Sequence, residues 1–332
     1  MLPDHLMQSF RAFQESRVFL TALELDLFTA VGEGANAAKV AAACRSHPRA
    51  TEQLLNALVA LGMLRKKSGV FENGSLAAHF LAAGSPEDAR GALKHQVSLW
   101  RTWSTLTEAV RTGHAVAHEE MTHRSADDWT QPFIAAMHRN AVERAPELVS
   151  AVGTKGVRRL IDIGGGSGAY SIAFARANPD LAAEVFDLAP VVPIAQRHIE
   201  EAGLTGRVTT RIGDLRHDDF GAGHDLALVF AICHMLGPDE NRNLLARVYR
   251  ALAPGGRVVI SDFILAPDGT APRQAVLFAI NMLVGTPDGS TYTEAEYSEW
   301  LAGAGFVGVS RRRLSGPADL MIGVRPREKS AV

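Results

Sequence analysis

His234 stands in Ile232-Cys233-His234-Met235, at the end of an almost wholly apolar run over 226–232. An imidazole placed there can take a proton near neutral pH. Other stretches share its setting, an apolar run that stops at a polar or glycine-rich group. Leu160-Ile161-Asp162-Ile163-Gly164-Gly165-Gly166-Ser167-Gly168 ends in glycines, which accept positive φ and let a ligand approach without a Cβ in the way. Asp187, followed by Leu188, comes about 20 residues later, a spacing at which a carboxylate can accept hydrogen bonds from both ribose hydroxyls. Gly213-Asp214-Leu215 offers an acceptor for an adenine amino group and then an apolar surface for the ring. A further apolar run leads into Asp262.

The glycine spacing narrows the ligand. A dinucleotide fingerprint has two residues between its second and third glycines, whereas Asp162-x-Gly-x-Gly-x-Gly has single-residue gaps. That favours an adenosyl-type ligand over NAD. No Lys-Ser or Lys-Thr follows the glycines, which disfavours ATP or GTP hydrolysis. Asp162 beside the turn suits a zwitterionic amino-acid tail better than a pyrophosphate. The bland alternatives are a tight turn in an α/β core for the glycines and a satisfied buried side chain for His234. Cys233, with no basic neighbour, reads as packing and not as a nucleophile.

These groups need strand ends to hold them. From residue 157 the pattern alternates strand and helix: strands at 183–188, 207–212, 226–232 and 258–265, helices at 169–178, 191–202 and 239–252, the last stopped by Pro254-Gly255-Gly256. Helices at 272–284 and 293–304 and strands at 306–312 and 319–324 follow. The expectation is an α/β fold: a Rossmann-like, doubly wound, mainly parallel sheet of seven strands with a reversed last strand, binding its ligand beyond the strands' carboxyl ends. Residues 156–332 would form that domain. Residues 1–100 read as helices at 6–27, 36–43 and 49–64 and a hairpin at 66–71, a winged-helix pattern. The helix from Arg49 lacks the basic face of a major-groove reader, so packing or dimerisation is favoured over DNA binding. Residues 101–155 read as a helical linker. In it Phe133, Met137 and Asn140 fall at i, i+4 and i+7, a stripe that is either core or a pocket wall.

Composition sets bounds. A net charge of −2 gives no global field for nucleic acid or anionic membrane. Two distant cysteines, Cys44 and Cys233, point away from a disulfide framework and toward a reducing cytoplasm. The first residues lack a basic segment followed by an apolar one, so no secretory leader is expected. His114, His118, Glu119, Glu120 and His123 cluster in sequence, but their irregular spacing beside Gly113 suits a solvated loop better than a metal site.

Taken together, the chain resembles the S-adenosylmethionine-dependent O-methyltransferases of the plant caffeic-acid type and their bacterial small-molecule relatives. The likeness runs from the winged-helix region through the glycine turn, Gly213-Asp214-Leu215, Ile232-Cys233-His234 and Pro254-Gly255-Gly256. It implies a homodimer built on the N-terminal domain and S-adenosylmethionine as cofactor. Asp162, Gly164, Gly165, Gly166, Asp187, Leu188, Gly213, Asp214, Leu215 and Phe230 would hold that cofactor, and His234 would be the general base. The acceptor, a small aromatic or polyketide-like molecule with a hydroxyl, would meet Trp103, Phe133, Met137, Asn140, Phe278, Asn281 and Met282. No metal is implied. The chain departs from the family at Phe230, where a lysine is common, and at Met235-Leu236-Gly237, which replaces Asp-Trp. Where plant members carry the glutamate that orients the base, the alignment reaches Thr291, with Asp288 and Glu294 nearby. C-methylation, a cofactor-assisted reaction without methyl transfer, and a ligand-sensing winged-helix regulator remain as alternatives.

Overall fold

The computed structural model describes residues 2–85, 87–116 and 126–327, with the backbone alone at 126–129. Contacts divide the chain into two compact units, Met1–Trp100 with Gln131–Ala136, and Arg101–Thr130 with Met137–Val332. The stretch 101–155, expected as a linker of its own, is therefore shared between them.

The first unit opens with α1 (Asp4–Glu24), α2 (Leu27–Val31), the short strand β1 (Ala35–Asn36), α3 (Ala37–Ala43) and α4 (Pro48–Ala60). Asn36 caps α3 by accepting from the Lys39 amide at 2.9 Å, and Pro48 starts α4 with its φ already set. The hairpin β2 (Leu64–Lys67) and β3 (Val70–Asn73) turns through Ser68 (φ 49°) and Gly69 (φ 81°), the pair of positive φ values that a two-residue turn matched to strand twist requires. β1 pairs with β3 to make three strands. Leu27, Phe28, Val40, Leu55, Leu58 and Phe71 are buried at the centre of the unit. Lys66 ties the hairpin to α4 through Glu52 (3.1 Å) and Asn56 (2.9 Å). The structure adds α2 and β1 to the expected winged helix and ends α4 at Ala60 instead of 64. α5 (Ser75–Phe80) and α6 (Arg90–Trp103) follow.

The second unit is built on a seven-stranded sheet. In chain order come α7 (Leu106–Thr112), α8 (Ala126–Val152), β4 (Arg159–Ile163), α9 (Ala169–Ala177), β5 (Ala182–Asp187), α10 (Val192–Glu201), β6 (Val208–Ile212), β7 (His224–Phe230), α11 (Pro238–Ala251), β8 (Leu252–Asp262), β9 (Ile264–Leu265), α12 (Arg273–Gly285), β10 (Tyr292–Thr293), α13 (Glu294–Gly303), β11 (Val307–Arg312) and β12 (Asp319–Val324). The strand order is β11-β12-β8-β7-β4-β5-β6, parallel throughout except for β12, which is antiparallel to both neighbours. The sheet begins at β4, winds out to β6 and returns to β7 on the other side of β4. That reversal is the switch point at which such sheets open a crevice.

Period-2 alternation sorts the strand side chains into two cores. Ile161, Ile163, Ala227, Val229, Val258 and Ile260 pack with Leu244, Leu245 and Val248 of α11 and with Trp300 and Leu301 of α13. Leu160, Val185, Leu226, Leu228 and Val259 pack with Leu148 of α8, Phe174 of α9 and Ile199 of α10. Two expected boundaries move. The strand expected over 226–232 stops at Phe230, because Ala231 turns to φ 56°. The strand expected over 258–265 runs from Leu252, with Pro254-Gly255-Gly256 at a register shift inside it and Gly255 at φ 85°, and it breaks at Phe263, whose amide donates to the Asp262 carboxylate at 2.8 Å.

Leu228 lies fully buried in β7 between β4 and β8. Leu228→Ala should cost about 2–5 kcal/mol by leaving a cavity. Urea unfolding should show a lower midpoint with an unchanged slope.

Candidate active site

The turn after β4 is shaped by space as much as by φ. Gly164 (φ 67°), Gly166 (φ 58°) and Gly168 (φ 74°) all lie in the left-handed region. A Cβ on Gly164 would stand 2.3 Å from Ile232 Cδ1, and one on Gly165 would stand 2.8 Å from Asp162 Cγ. The Gly164 amide donates to the Phe186 carbonyl and the Gly166 amide to Asp187 Oδ2, both at 2.8 Å. The other Asp187 oxygen accepts from the Leu188 amide at 2.7 Å. The carboxylate is thereby fixed against the turn while remaining half-buried at the strand end.

Asp162 lies beneath the turn, fully buried, and accepts from the Ser171 hydroxyl at 2.9 Å. Burial pushes its carboxyl up to about 7, the nearby Asp187 charge adds to this, and the Ser171 bond opposes it. Burial also raises Asp187, against the two amides that favour its charge. The turn is thus a cradle bordered by two carboxylates, one beneath it and one at the end of β5.

Beside it the ends of β5 and β6 leave Leu188 and Ile212 exposed, at 47% and 62%. Exposed aliphatic side chains next to a fixed carboxylate suit a flat ring carried on a diol. A Cβ on Gly213 would stand 2.2 Å from Phe186 Cζ, so no larger residue fits there. Asp214 Oδ1 accepts from the Arg216 amide at 2.8 Å, and half-buried Leu215 flanks the Gly164 turn. Phe230 is buried, its ring edge-on to Tyr170 at 5.0 Å.

After β7, Cys233–Met235 form a 3₁₀ turn. His234 is buried, and its Nδ1 lies 2.7 Å from Asp262 Oδ1. A carboxylate only accepts, so Nδ1 carries the hydrogen and Nε2 keeps a lone pair. The His234 amide donates to Asp262 Oδ2 at 3.1 Å. Asn241 donates from Nδ2 to the Cys233 and Leu236 carbonyls at 2.9 and 3.1 Å, and the Tyr292 hydroxyl donates to Leu236 O. These bonds hold the Met235-Leu236-Gly237 frame in place. The Phe278 ring meets the imidazole edge-on at 4.8 Å and stacks on Phe263 at 4.3 Å. Burial drives the Cys233 thiol well above its ordinary range, which fits packing.

The carboxylate on the imidazole corrects the expected alternatives. Glu294 faces Arg311 at 3.3 Å, Asp288 is exposed beside Gly237, and Thr291 donates its hydroxyl to the Ala275 carbonyl at 3.1 Å. Asp262 was legible as a strand end but not as the partner of His234. Asn241 and Tyr292 carried no signal at all.

Of the expected acceptor wall, Trp103 Nε1 donates to Asn281 Oδ1 at 2.8 Å, both residues lying within the second unit. Met282 is buried, Met137 half-buried and Asn140 exposed. Phe133 belongs to the first unit, where its ring meets His95 at 5.4 Å. His118, Glu119, Glu120 and His123 lie outside the described residues, and His114 is exposed. Among the described residues no cluster of three His, Cys, Asp or Glu could hold a metal ion, and no helix is long and apolar enough to cross a membrane.

A glycine turn at the switch point, a fixed carboxylate at the end of the next strand and a seven-stranded sheet with one reversed strand define a class I methyltransferase using S-adenosylmethionine. A model of the O-methyltransferase domain matches residues 103–307, and one of the O-methyltransferase dimerisation domain matches residues 7–83. The chain belongs to this family of S-adenosylmethionine-dependent O-methyltransferases. It is 35% identical to a 3-hydroxy-5-methyl-1-naphthoate 3-O-methyltransferase of Streptomyces sahachiroi, covering 91% of this chain and 89% of that one. It is 32% identical to the tetracenomycin polyketide synthesis 8-O-methyl transferase of Streptomyces glaucescens, covering 98% and 97%. Human N-acetylserotonin methyltransferase, solved in complex with S-adenosylmethionine, superposes with a TM-score of 0.82 at 25% identity over 97% of each chain.

Two outcomes follow from the cradle. Gly164→Ala should weaken adenosylhomocysteine binding by more than about tenfold in calorimetry, since both φ and the Ile232 contact oppose it. Asp162 has a second consequence. Its carboxyl is raised in the fold, so between the ordinary value near 3.8 and about 7 the folded state holds a proton the unfolded chain has shed. Stability is lost as pH rises through that window, and the penalty is complete above it. In ligand-free protein, the stability of Asp162→Asn relative to the parent should therefore increase from about pH 5 to about pH 8.5 in thermal melts.

Proposed function

We propose that the protein methylates a hydroxyl of a small aromatic or polyketide-like molecule, with His234 as general base. The observation that carries this is the buried bond from His234 Nδ1 to Asp262, which leaves Nε2 free to accept and fixes the ring against Phe278. Asp187 would hold the ribose hydroxyls, Asp214 and Leu215 the adenine, and the Gly164–Gly166 turn the amino-acid tail, with Asp162 supporting the turn from below. The fit is supported by the amide-fixed, half-buried Asp187 carboxylate and the exposed Leu188 beside it. The bound cofactor supplies an electrophilic methyl group and a neutral thioether leaving group.

The chain's own work is to place and deprotonate. Trp103, Phe278 and Asn281 offer an apolar wall with one amide, which suits a flat hydroxylated ring. A phenol, of pKa about 10, must lose its proton as its oxygen bonds to carbon. His234 Nε2 takes that proton, and Asp262 stabilises the imidazolium that results. The acceptors named in the two Streptomyces relatives, a hydroxynaphthoate and a tetracenomycin intermediate, support this choice of substrate class.

The exposed apolar row on α1, with Phe10 at 67% and Phe13 at 55%, supports a homodimer formed through the first unit. The setting is cytoplasmic, in keeping with two free cysteines.

Purified enzyme incubated with S-adenosylmethionine and a panel of hydroxynaphthoates and polycyclic phenols should yield a methyl ether by mass spectrometry. His234→Ala should lower the rate about 10²–10⁴-fold while leaving adenosylhomocysteine binding intact. Full activity in that variant would remove His234 as the base, and a C-methyl product would replace the reaction. Replacing Phe10 and Phe13 by serine should shift the protein toward monomer in analytical ultracentrifugation.

A further inference from the structure

A side-chain tether reaches the glycine turn from outside the sheet. His138 Nδ1 on α8 lies 2.8 Å from the Ser167 hydroxyl, and Ser167, buried at 4% exposure, sits between Gly166 and Gly168. The His138 ring stacks on His198 of α10, with centroids 4.0 Å apart and planes 9° from parallel. His198 Nδ1 in turn faces Glu201 Oε2 at 3.4 Å. None of these groups is used by the chemistry described above.

We propose that His138 is a positioning residue for the methyl donor: by bonding Ser167 it fixes the one segment of the site that glycines leave free to move. This rests on the turn being the donor's site. Three positive-φ glycines give the turn its shape but no stiffness. One neighbour of Ser167, Gly166, spends its amide on Asp187 Oδ2. A tether at Ser167 therefore also steadies the carboxylate assigned to the ribose.

The tether is sensitive to charge. A neutral imidazole can accept the Ser167 proton at Nδ1, whereas a protonated one can only donate there. Two stacked imidazoliums repel at this separation. The charged groups bearing on His138 are His198 and Glu201 from α10; the turn that bears Ser167 is flanked by the Asp162 and Asp187 carboxylates, and Arg139, next on α8, is paired with Glu143 at 3.5 Å. Burial, then His198, holds the His138 imidazole below its ordinary range, against the Glu201 carboxylate, so the neutral ring prevails at neutral pH. On acidification the bond must reverse, with Nδ1–H donating to the Ser167 hydroxyl oxygen, and the positive charge added beside the turn opposes a cationic donor more than its neutral product.

The test is calorimetry of S-adenosylmethionine and adenosylhomocysteine at about pH 8 and about pH 6. The parent should bind both at the higher pH and lose affinity at the lower, more for the cationic ligand. His138→Phe should bind each about tenfold more weakly at the higher pH, the loss expected for one hydrogen bond, and show a smaller change with pH. His138→Gln, whose amide can reach Ser167 without titrating, should recover most of the affinity and lose the same part of the pH dependence. Parent-like affinity and pH dependence in His138→Phe would overturn the proposal. If that variant melts early, a parent-like pH dependence in His138→Gln overturns it instead. Absence of binding by the parent to either ligand would overturn the donor site itself, a separate failure.

Discussion

The carboxylate of Asp262 is the joint between the fold and the chemistry. It is fully buried at the end of β8 and accepts from three donors: the His234 ring, the His234 amide and the Phe263 amide. The Phe263 bond turns the chain out of the sheet, so that Ile264–Leu265 pair with Tyr292–Thr293 and no longer with β7 or β12. The two His234 bonds fix a backbone turn and an imidazole tautomer at once. A buried carboxylate left without donors is costly, so the same term that stabilises this strand end specifies the orientation of the imidazole. Removing the carboxylate would therefore disturb both strand termination and tautomer.

Around that joint the site is distributed over the strand ends, each doing one thing. β4 supplies a turn, β5 a carboxylate, β6 the Gly213-Asp214-Leu215 edge and β7 an imidazole. The strands are held in register by two apolar cores, one on each face. Nothing in those cores is specific to methyl transfer. What is specific is polar, short-range and located where the ladder bonds run out, and this is why a single parallel sheet can present several groups to one crevice.

The same logic explains what the sequence could disclose. A long apolar run ending in a polar or glycine-rich group is visible without coordinates, so Asp162, Asp187, Asp214, His234 and Asp262 were all found as strand ends. The pairing of His234 with Asp262 was not, because it depends on β7 lying beside β8 and on the turn through Ala231, and neither leaves a local pattern. Position along the chain pointed to Asp288 and Glu294 instead. The Ser68-Gly69 turn announced its hairpin because only certain residues accept two positive φ values. Pro254-Gly255-Gly256 marks the stop of the preceding helix, but nothing local places it inside β8, where the Gly255 amide donates to the Arg325 carbonyl and the Gly256 carbonyl accepts from the Arg325 amide. The stripe Phe133, Met137, Asn140 had helical spacing, but spacing does not say what a face meets, and Asn140 is exposed.

Charge provides the last step. Asp162 and Asp187 are both raised by burial, and Asp187 adds its own repulsion to Asp162. Among the described residues, no basic side chain figures among the groups that act on either. Ser171 and two backbone amides satisfy hydrogen bonds without neutralising charge. A positively charged ligand held at the turn, as proposed, would relieve the repulsion between the two carboxylates, and a neutral one would not. Methyl transfer converts a sulfonium into a neutral thioether, so with the donor at the turn, as proposed, the two carboxylates would favour the donor over its product. On that proposal, two carboxylates with no lysine or arginine acting on them among the described residues suit a site that must bind and release on each turnover, and a fixed cation placed there to stabilise the empty fold would work against it.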